Sequence, residues 1–413
     1  MKVVFRNNKM THHSAAVIPN VYDSEPIPAE ARTEIDRLLT SGDLFRYTSP
    51  ENAPVALLEK EFSSLLGAKF ALAVSSCSAA LFLSLKALDL PRGARVLIPA
   101  FTFAAVPSAV VHANCEPVLV EVGDNYRIDM VDFETKLDGT IAAVLISHMR
   151  GHTSDMDAIM TLCDARNIPV IEDAAHSLGT RWAERQIGTI GKIGCFSFQS
   201  YKMVNAGEGG ILITDDANLL ARAVIMSGAY EDNWKKHAGL AQSFAKWQNY
   251  LPLYNLRMQN LSAAVIRPQL PLVAHRAAQG LANHDYVAAF INECSAINVP
   301  TPLPLETRAP DSIQFNLPHD WTDAQVITFR ERAQADGVKV QVFGLSQGNA
   351  RAYWNWKFLS KQPDLPQTRK MLMRAADIRL PARLERSDLD YIARTLIKAA
   401  EPTALGTKQT GFL

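Results

Sequence analysis

The sequence predicts an α/β fold, with a mostly parallel sheet covered by helices on both faces and a smaller C-terminal α+β unit. Two observations predict it. Between about residues 55 and 215, short β-branched apolar runs alternate with longer segments of helical period, the pattern of strands joined by crossover helices. Beyond about residue 270 the pattern changes, and helical segments flank isolated short strand candidates.

The strands expected in the first region are 95–99, 117–122, 142–148, 168–173, 194–198 and 211–214. Helices are expected at 77–88 and at 154–167, the second opened by a capping box of Ser154 and Asp157. Residues 230–255 are rich in Trp, Tyr, Lys and Gln without a clear period, which predicts a long irregular loop. Further on, helices are expected at 276–296, at 322–336 with a Thr322/Gln325 capping box, and at 387–400 with a Ser387/Asp390 box. A strand is expected at 338–343, with Pro-rich linkers at 300–310 and 363–366. The expected division is a large domain over 1–270 and a small one over 271–413.

Composition narrows the function. The 413 residues are 48% hydrophobic and 20% charged, which fits a globular protein with a sizeable core. Lys plus Arg equals Asp plus Glu at 42 each, so no net field favours nucleic acid or anionic lipid, and a small-molecule function is expected. The five cysteines are scattered without metal-ligand or disulfide spacing, so free thiols and no metal are expected. Arg6 and two Asn interrupt the apolar N-terminal opening, which argues against a signal peptide, and no stretch is long and apolar enough to span a bilayer. A cytoplasmic protein is expected.

Three segments carry candidate chemistry. In 75-SSCSAALFLSLKAL-88, small hydroxylated residues open an apolar helix, a natural phosphate seat and equally an ordinary N-cap. In 168-IPVIEDAAHS-177, an apolar strand ends on Asp173, where a carboxylate could pair with a protonated ring nitrogen or simply favour a helix start. In 194-GCFSFQSYKMVNAGEGG-210, Lys202 lies between a buried strand and a glycine cluster that fits neither nucleotide-binding fingerprint. Desolvation there would lower its pKa toward nucleophilic values.

Together with VLIPAFTFAAVPSAV, HMRGHTSDMD and YNLRMQNLSAA, these segments strongly resemble the DegT/StrS sugar aminotransferases, pyridoxal-5′-phosphate (PLP) enzymes of the aspartate-aminotransferase fold (fold type I). The resemblance covers about residues 25–400. It implies that Lys202 carries the cofactor as a Schiff base and shuttles protons, with Asp173 on the pyridine nitrogen. Phe103 would stack on the ring, and His176 would sit beside the phenolic oxygen. Ser78, the backbone of Ala79 and Ser197 would bind the phosphate, and Asn255 would come from the neighbouring subunit of a homodimer. Relatives usually have Gly-Thr where this chain has Cys77-Ser78, which keeps a hydroxyl on a stiffer loop. The implied reaction moves an amino group from glutamate or glutamine to a keto-sugar. The alternatives are PLP-dependent sugar dehydration, or a PLP-binding regulatory protein without turnover.

Overall fold

The computed structural model describes residues 19–48 and 52–401. The N-terminal opening that argues against a signal peptide lies outside the described residues. Seven strands make the central sheet: β1 (Phe70–Val74), β2 (Arg95–Pro99), β3 (Glu116–Val120), β4 (Ile141–Ser147), β5 (Val170–Asp173) and, after a small hairpin of β6 (Arg181–Trp182) and β7 (Arg185–Gln186), β8 (Ile193–Ser197) and β9 (Gly210–Thr214). Their order is β1-β9-β8-β5-β4-β2-β3. Every neighbouring pair from β8 to β3 is parallel, and β9 alone runs against its neighbours β1 and β8. The carboxyl ends of β4, β5 and β8 therefore share one edge of the sheet.

Side-chain alternation explains why both faces are covered. In β4, Ala143 and Leu145 join one core while Val144 and Ile146 join the other. In β2, Val96 and Ile98 likewise face away from Leu97. Helices Cys77–Ala87, Ala105–His112 and Ala217–Gly228 cover the first face, and Pro54–Leu66, Met130–Lys136 and Met156–Asp164 the second. Asp129, Asp155 and Asp216 cap three of these helices by accepting first-turn amide hydrogens.

The strand β10 (Glu306–Thr307) pairs with β6. A second, antiparallel sheet has β13 (Ala375–Arg379) between β11 (Ser312–Asn316) and β12 (Gln341–Val342). Helices Val273–Glu293, Asp323–Ala335 and Arg386–Ala400 pack around it in a third core that includes Phe315, Phe329, Ile378 and Leu396. The expected boundary at 270/271 falls within the 3₁₀ turn Arg267–Leu272 that runs into the first of these helices. Part of the C-terminal region nevertheless belongs to the large core: Phe343, Tyr353, Trp356 and Leu372 are buried with it.

The six expected strands lie within two residues of the observed ones, and the Thr322/Gln325 capping box is present. Other details differ. Asp155, not Ser154, caps Met156–Asp164, because the Ser154 hydroxyl instead accepts the Ile128 N–H at 3.2 Å. Glu385 and Asp388 form the last capping box, two residues earlier than Ser387 and Asp390. The 230–255 segment holds two short helices, Glu231–Lys236 and Ala241–Trp247, fixed by the stacked rings of Trp234 and Phe244 at 5.5 Å. Each is too short to show a period. The 300–310 segment is docked rather than free, since Glu306 forms a buried ion pair with Arg127 and accepts the Thr153 N–H. The expected strand 338–343 shrinks to Gln341–Val342, and β1, β11 and β13 were not anticipated from the sequence. Gln314 and Asp377 put buried polar side chains into β11 and β13, which hides the strands from any hydropathy pattern.

Glu172 fixes the loop that leads into β8. Its carboxylate, fully buried, accepts the N–H groups of Gly188, Ile190 and Gly191 at 2.6–2.8 Å and faces His148 Nε2 at 3.0 Å. Burial pushes this carboxyl up, but His148 and the amides outweigh it and hold it below the usual range. The loop can close this tightly only on glycine, because a Cβ on Gly194 would meet the Gly188 carbonyl oxygen at 2.0 Å. Glu172→Ala should cost about 3–5 kcal/mol, the range for stripping one partner from a buried charged network, as read from urea unfolding. A loss below about 1 kcal/mol would show that the loop holds without it.

Candidate active site

At the shared carboxyl edge lies a cavity of about 580 Å³, roofed by the C-terminal region. Asp173, the last residue of β5, forms its floor. The carboxylate is buried, and takes hydrogen bonds from Ser147 Oγ at 2.7 Å and the Ala175 N–H at 3.1 Å. Cys77 Sγ stands 3.9 Å away. Burial and the Asp173 charge push the Cys77 thiol well up, so it is a neutral neighbour rather than a nucleophile.

Lys202 follows β8 on a turn and points its Nζ into the cavity, 2.8 Å from His176 Nε2. Burial lowers its pKa from 10.5 to about 8. Burial, reinforced by Lys202 and Arg150, holds His176 well below its usual range, so the imidazole is neutral and can accept a hydrogen bond from the lysine. An amine that loses its charge near neutrality beside a neutral acceptor is suited to carbonyl chemistry and proton transfer.

Helix Cys77–Ala87 begins beside this floor. Ser76 caps it by accepting the Ala79 N–H at 3.1 Å, so the Ala79 amide is already engaged and Ala79 does not line the cavity. Ser78, in the first turn, does line it, as does Ser197 at the end of β8. The glycine cluster explains the close approach: a Cβ on Gly210 would meet the Ser76 carbonyl carbon at 2.2 Å and Cys77 N at 2.3 Å. Only glycine lets β9 press against the helix start.

Phe103 lines the cavity while remaining 44% exposed, as a ring waiting on one side of a slot would be. The cavity thus gathers Ser78, Phe103, Asp173, His176, Ser197 and Lys202, residues 78 to 202 of the chain. Asn255 is exposed and lies outside it. Three arginines that sequence reasoning did not single out also line it: Arg150, Arg351 and Arg379. Arg150 carried a local signal, standing before Gly151 just past β4, where it adopts φ 57°. The other two come from residues some 200 positions away, and nothing local marks them.

Residues 28–397 match the profile of the DegT/DnrJ/EryC1/StrS aminotransferase family. The chain belongs to this family. Among curated relatives, the spore coat polysaccharide biosynthesis protein SpsC of Bacillus subtilis is 34% identical over 60% of the chain and 63% of its own length. GDP-perosamine synthase of Escherichia coli O157:H7 is 32% identical over 51% of the chain and 56% of its own length. The chain thus spans about half to just under two thirds of the curated relatives it matches. Among solved structures, 3-amino-5-hydroxybenzoic acid synthase superposes with a TM-score of 0.80 at 21% identity, over 93% of the chain and 99% of its own. A GDP-4-keto-6-deoxy-D-mannose-3-dehydratase of E. coli with bound hydrated PLP gives 0.79 at 18%, over 91% and 98%. The fold is that of the fold-type-I transferases, and PLP is the cofactor of this family.

The residues present fit that cofactor. Asp173 offers a buried, hydrogen-bonded carboxylate for a pyridinium, and the Ser78 N–H, without a partner among the described residues, heads a helix that can take a phosphate. In cofactor-free protein, acylation of Lys202 by acetic anhydride should follow a titration with its midpoint near about 8, against roughly 10.4 for ordinary exposed lysines. Because the folded pKa is the lower one, the unfolded chain binds a proton that the folded one lacks between about 8 and 10.5, and stability should rise with pH across that window. A Lys202 midpoint above 10 by mass spectrometry would contradict the burial described.

Proposed function

We propose that this protein transfers an amino group from glutamate or glutamine to a keto-sugar, with Lys202 as the residue that binds PLP covalently. The observation that carries the reading is the juxtaposition of Lys202, its pKa lowered to about 8, with His176 and the Asp173 floor in one cavity. Lys202 would hold the aldehyde end of the cofactor, Asp173 the ring nitrogen, and Ser78 and Ser197 the phosphate. PLP supplies an electron sink that allows a substrate carbon to lose a proton. Asp173, fixed by Ser147, would present its carboxylate to the ring nitrogen. Lys202 is the primary amine that would carry a proton across the substrate face, and the neutral His176 ring can take its hydrogen bond without repelling it. Phe103, which lines the cavity, would cover one face of the ring.

The dehydratase among the structural neighbours is 18% identical and shares only the fold. The dehydrating members of the family carry histidine in place of the lysine, and here the position is Lys202. Transamination is therefore the reading, with the chain divided at 270/271 into a cofactor-holding part and a small cap. Borohydride reduction of the holoenzyme followed by peptide mapping should leave the pyridoxyl group on Lys202. Single-turnover incubation with glutamate and with glutamine should release the corresponding 2-oxo acid, and Lys202→Ala should lower that rate by about 10³-fold or more, as expected when the proton carrier is lost. A pyridoxyl label on Lys192, or deoxy-sugar formed without retained nitrogen, would refute the reading.

The exposed Asn255, outside the cavity of its own chain, supports a homodimer in which each chain completes the other's site. Inactive Lys202→Ala and Asn255→Ala chains, mixed and allowed to exchange, should recover up to about a quarter of wild-type activity per site, since one site in each hybrid keeps both native residues. No recovery after exchange verified by native mass spectrometry would place Asn255 outside the site.

A further inference from the structure

The arginines of the cavity are more than its charge balance requires. Arg150 reaches in from the turn after β4, and its guanidinium donates to Asp377 Oδ2 at 2.6 Å. Arg351 packs between two rings, its guanidinium carbon 5.8 Å from the centroid of Phe103 and 5.7 Å from that of Phe343. Arg379 lies over the Tyr201 ring at 4.8 Å, beside Lys202. The buried Nε atoms of all three, and Nη1 of Arg379, have no hydrogen-bond partner among the described residues. The carboxylates that face Arg351 and Arg379 are Asp311 and Asp377, and each of these arginines also feels the charge of Arg150. Three guanidiniums thus meet two carboxylates, and Asp377 is already shared with Gln314. Burial and Arg150 lower Arg351 to about 10, the direction expected of a cation short of an anion.

The positions of Arg150 and Arg351 in the sheet separate them from the phosphate seat, whereas Arg379 donates to the Tyr201 carbonyl just after β8. Ser78 follows β1 and Ser197 ends β8, on one side of Asp173, and Gly210 of β9 presses on that same side. Arg150 follows β4, on the other side of β5, and Arg351 adjoins Phe103, which follows β2. The exposed acid of the cavity, Glu208, precedes β9 and so belongs to the phosphate side.

We propose that Arg150, Arg351 and Arg379 form a seat for a carboxylate on the acceptor, so that the keto-sugar aminated here is a sugar acid. The inference rests on the aminotransfer reading above. In such a reaction donor and acceptor occupy one cavity in turn. The donor brings a carboxylate of its own, and a neutral acceptor would then leave the buried Nε atoms of the half-buried Arg351 and Arg379 without a partner, which is costly in a desolvated site. An acceptor with a carboxylate satisfies the same groups in both half-reactions. A diphosphate is the other source of oxyanions, but Arg351 lies against Phe103 and Arg379 against Tyr201 beside Lys202, where the reacting sugar itself must sit, which favours an anion on the sugar.

The test uses the holoenzyme and its Arg351→Gln and Arg379→Gln variants. Arg150 is left intact because its pair with Asp377 joins the two sheets. Calorimetric titrations with gluconate, its neutral counterpart sorbitol, and UDP-glucose are run beside single-turnover release of 2-oxoglutarate from glutamate. Gluconate should bind at least about tenfold more tightly than sorbitol, and either variant with a wild-type melting profile should weaken gluconate by about tenfold or more while leaving sorbitol unchanged. Equal binding of gluconate and sorbitol, or unchanged gluconate binding in both variants, overturns the proposal. So does UDP-glucose binding that exceeds gluconate and is lost in Arg351→Gln, which would make the anion a diphosphate. Loss of 2-oxoglutarate release with gluconate binding intact would assign the seat to the donor alone, and also overturns it. If the wild type releases no 2-oxo acid from glutamate or glutamine, the aminotransfer reading fails, whereas the gluconate titration reports on the arginine seat independently.

Discussion

The buried ion pair between Arg150 and Asp377 is the interaction on which the site depends. Arg150 leaves the carboxyl edge of the large sheet and Asp377 lies in the central strand of the small one, so their 2.6 Å contact fixes the roof of the cavity over its floor. Neither charge could be buried alone, and the surrounding groups complete the pair. Gln314 donates to the second oxygen of Asp377, His152 faces the Gln314 oxygen at 2.8 Å, and Arg308 donates to the Arg150 carbonyl. Burial, with Arg308 and Arg127 nearby, holds His152 well below its usual range, so His152 adds no positive charge to the network. The backbone of Arg150 accommodates this by taking φ 57°, an unfavourable region for a residue with a Cβ, which the surrounding contacts over-determine.

At the centre of the large sheet, two adjacent acids do unlike work because strand side chains alternate. Glu172 turns to one face, where His148 and three loop amides consume its hydrogen-bonding capacity. Asp173 turns to the other, where only Ser147, the Ala175 amide and a distant thiol meet it. The first acid is spent on holding the approach to β8, and hence the placement of Ser197 and Lys202. The second retains free lone pairs toward the cavity. The rigid support and the reactive floor are thus one residue apart in the chain.

Much of this was legible in the sequence, and for physical reasons. Strands buried on both faces are written as continuous apolar runs, so 95–99 and 211–214 announce themselves, and a lysine between such a strand and a glycine cluster stands out among solvated lysines. The positions of Ser78, Asp173, Ser197 and Lys202 in one cavity follow from the rule that parallel strands present their carboxyl ends to a common edge. Local order determined these features: period, capping and strand ends are set by residues within a few positions of each other. The family resemblance then supplied roles that spacing left open.

Tertiary structure decided what depends on distant partners. Whether Ser154 or Asp155 caps a helix turned on the remote Ile128 amide, and the buried side chains of Gln314 and Asp377 find partners in His152 and Arg150 from the large sheet's edge. Arg351 and Arg379 are ordinary surface-type residues in the sequence whose Nε atoms become buried without a partner among the described residues once the C-terminal region folds over β2 and β4. A sequence specifies which groups a residue carries and what its neighbours prefer. It does not display the dielectric around a guanidinium or the number of carboxylates facing it, because both are sums over atoms brought together from opposite ends of the chain.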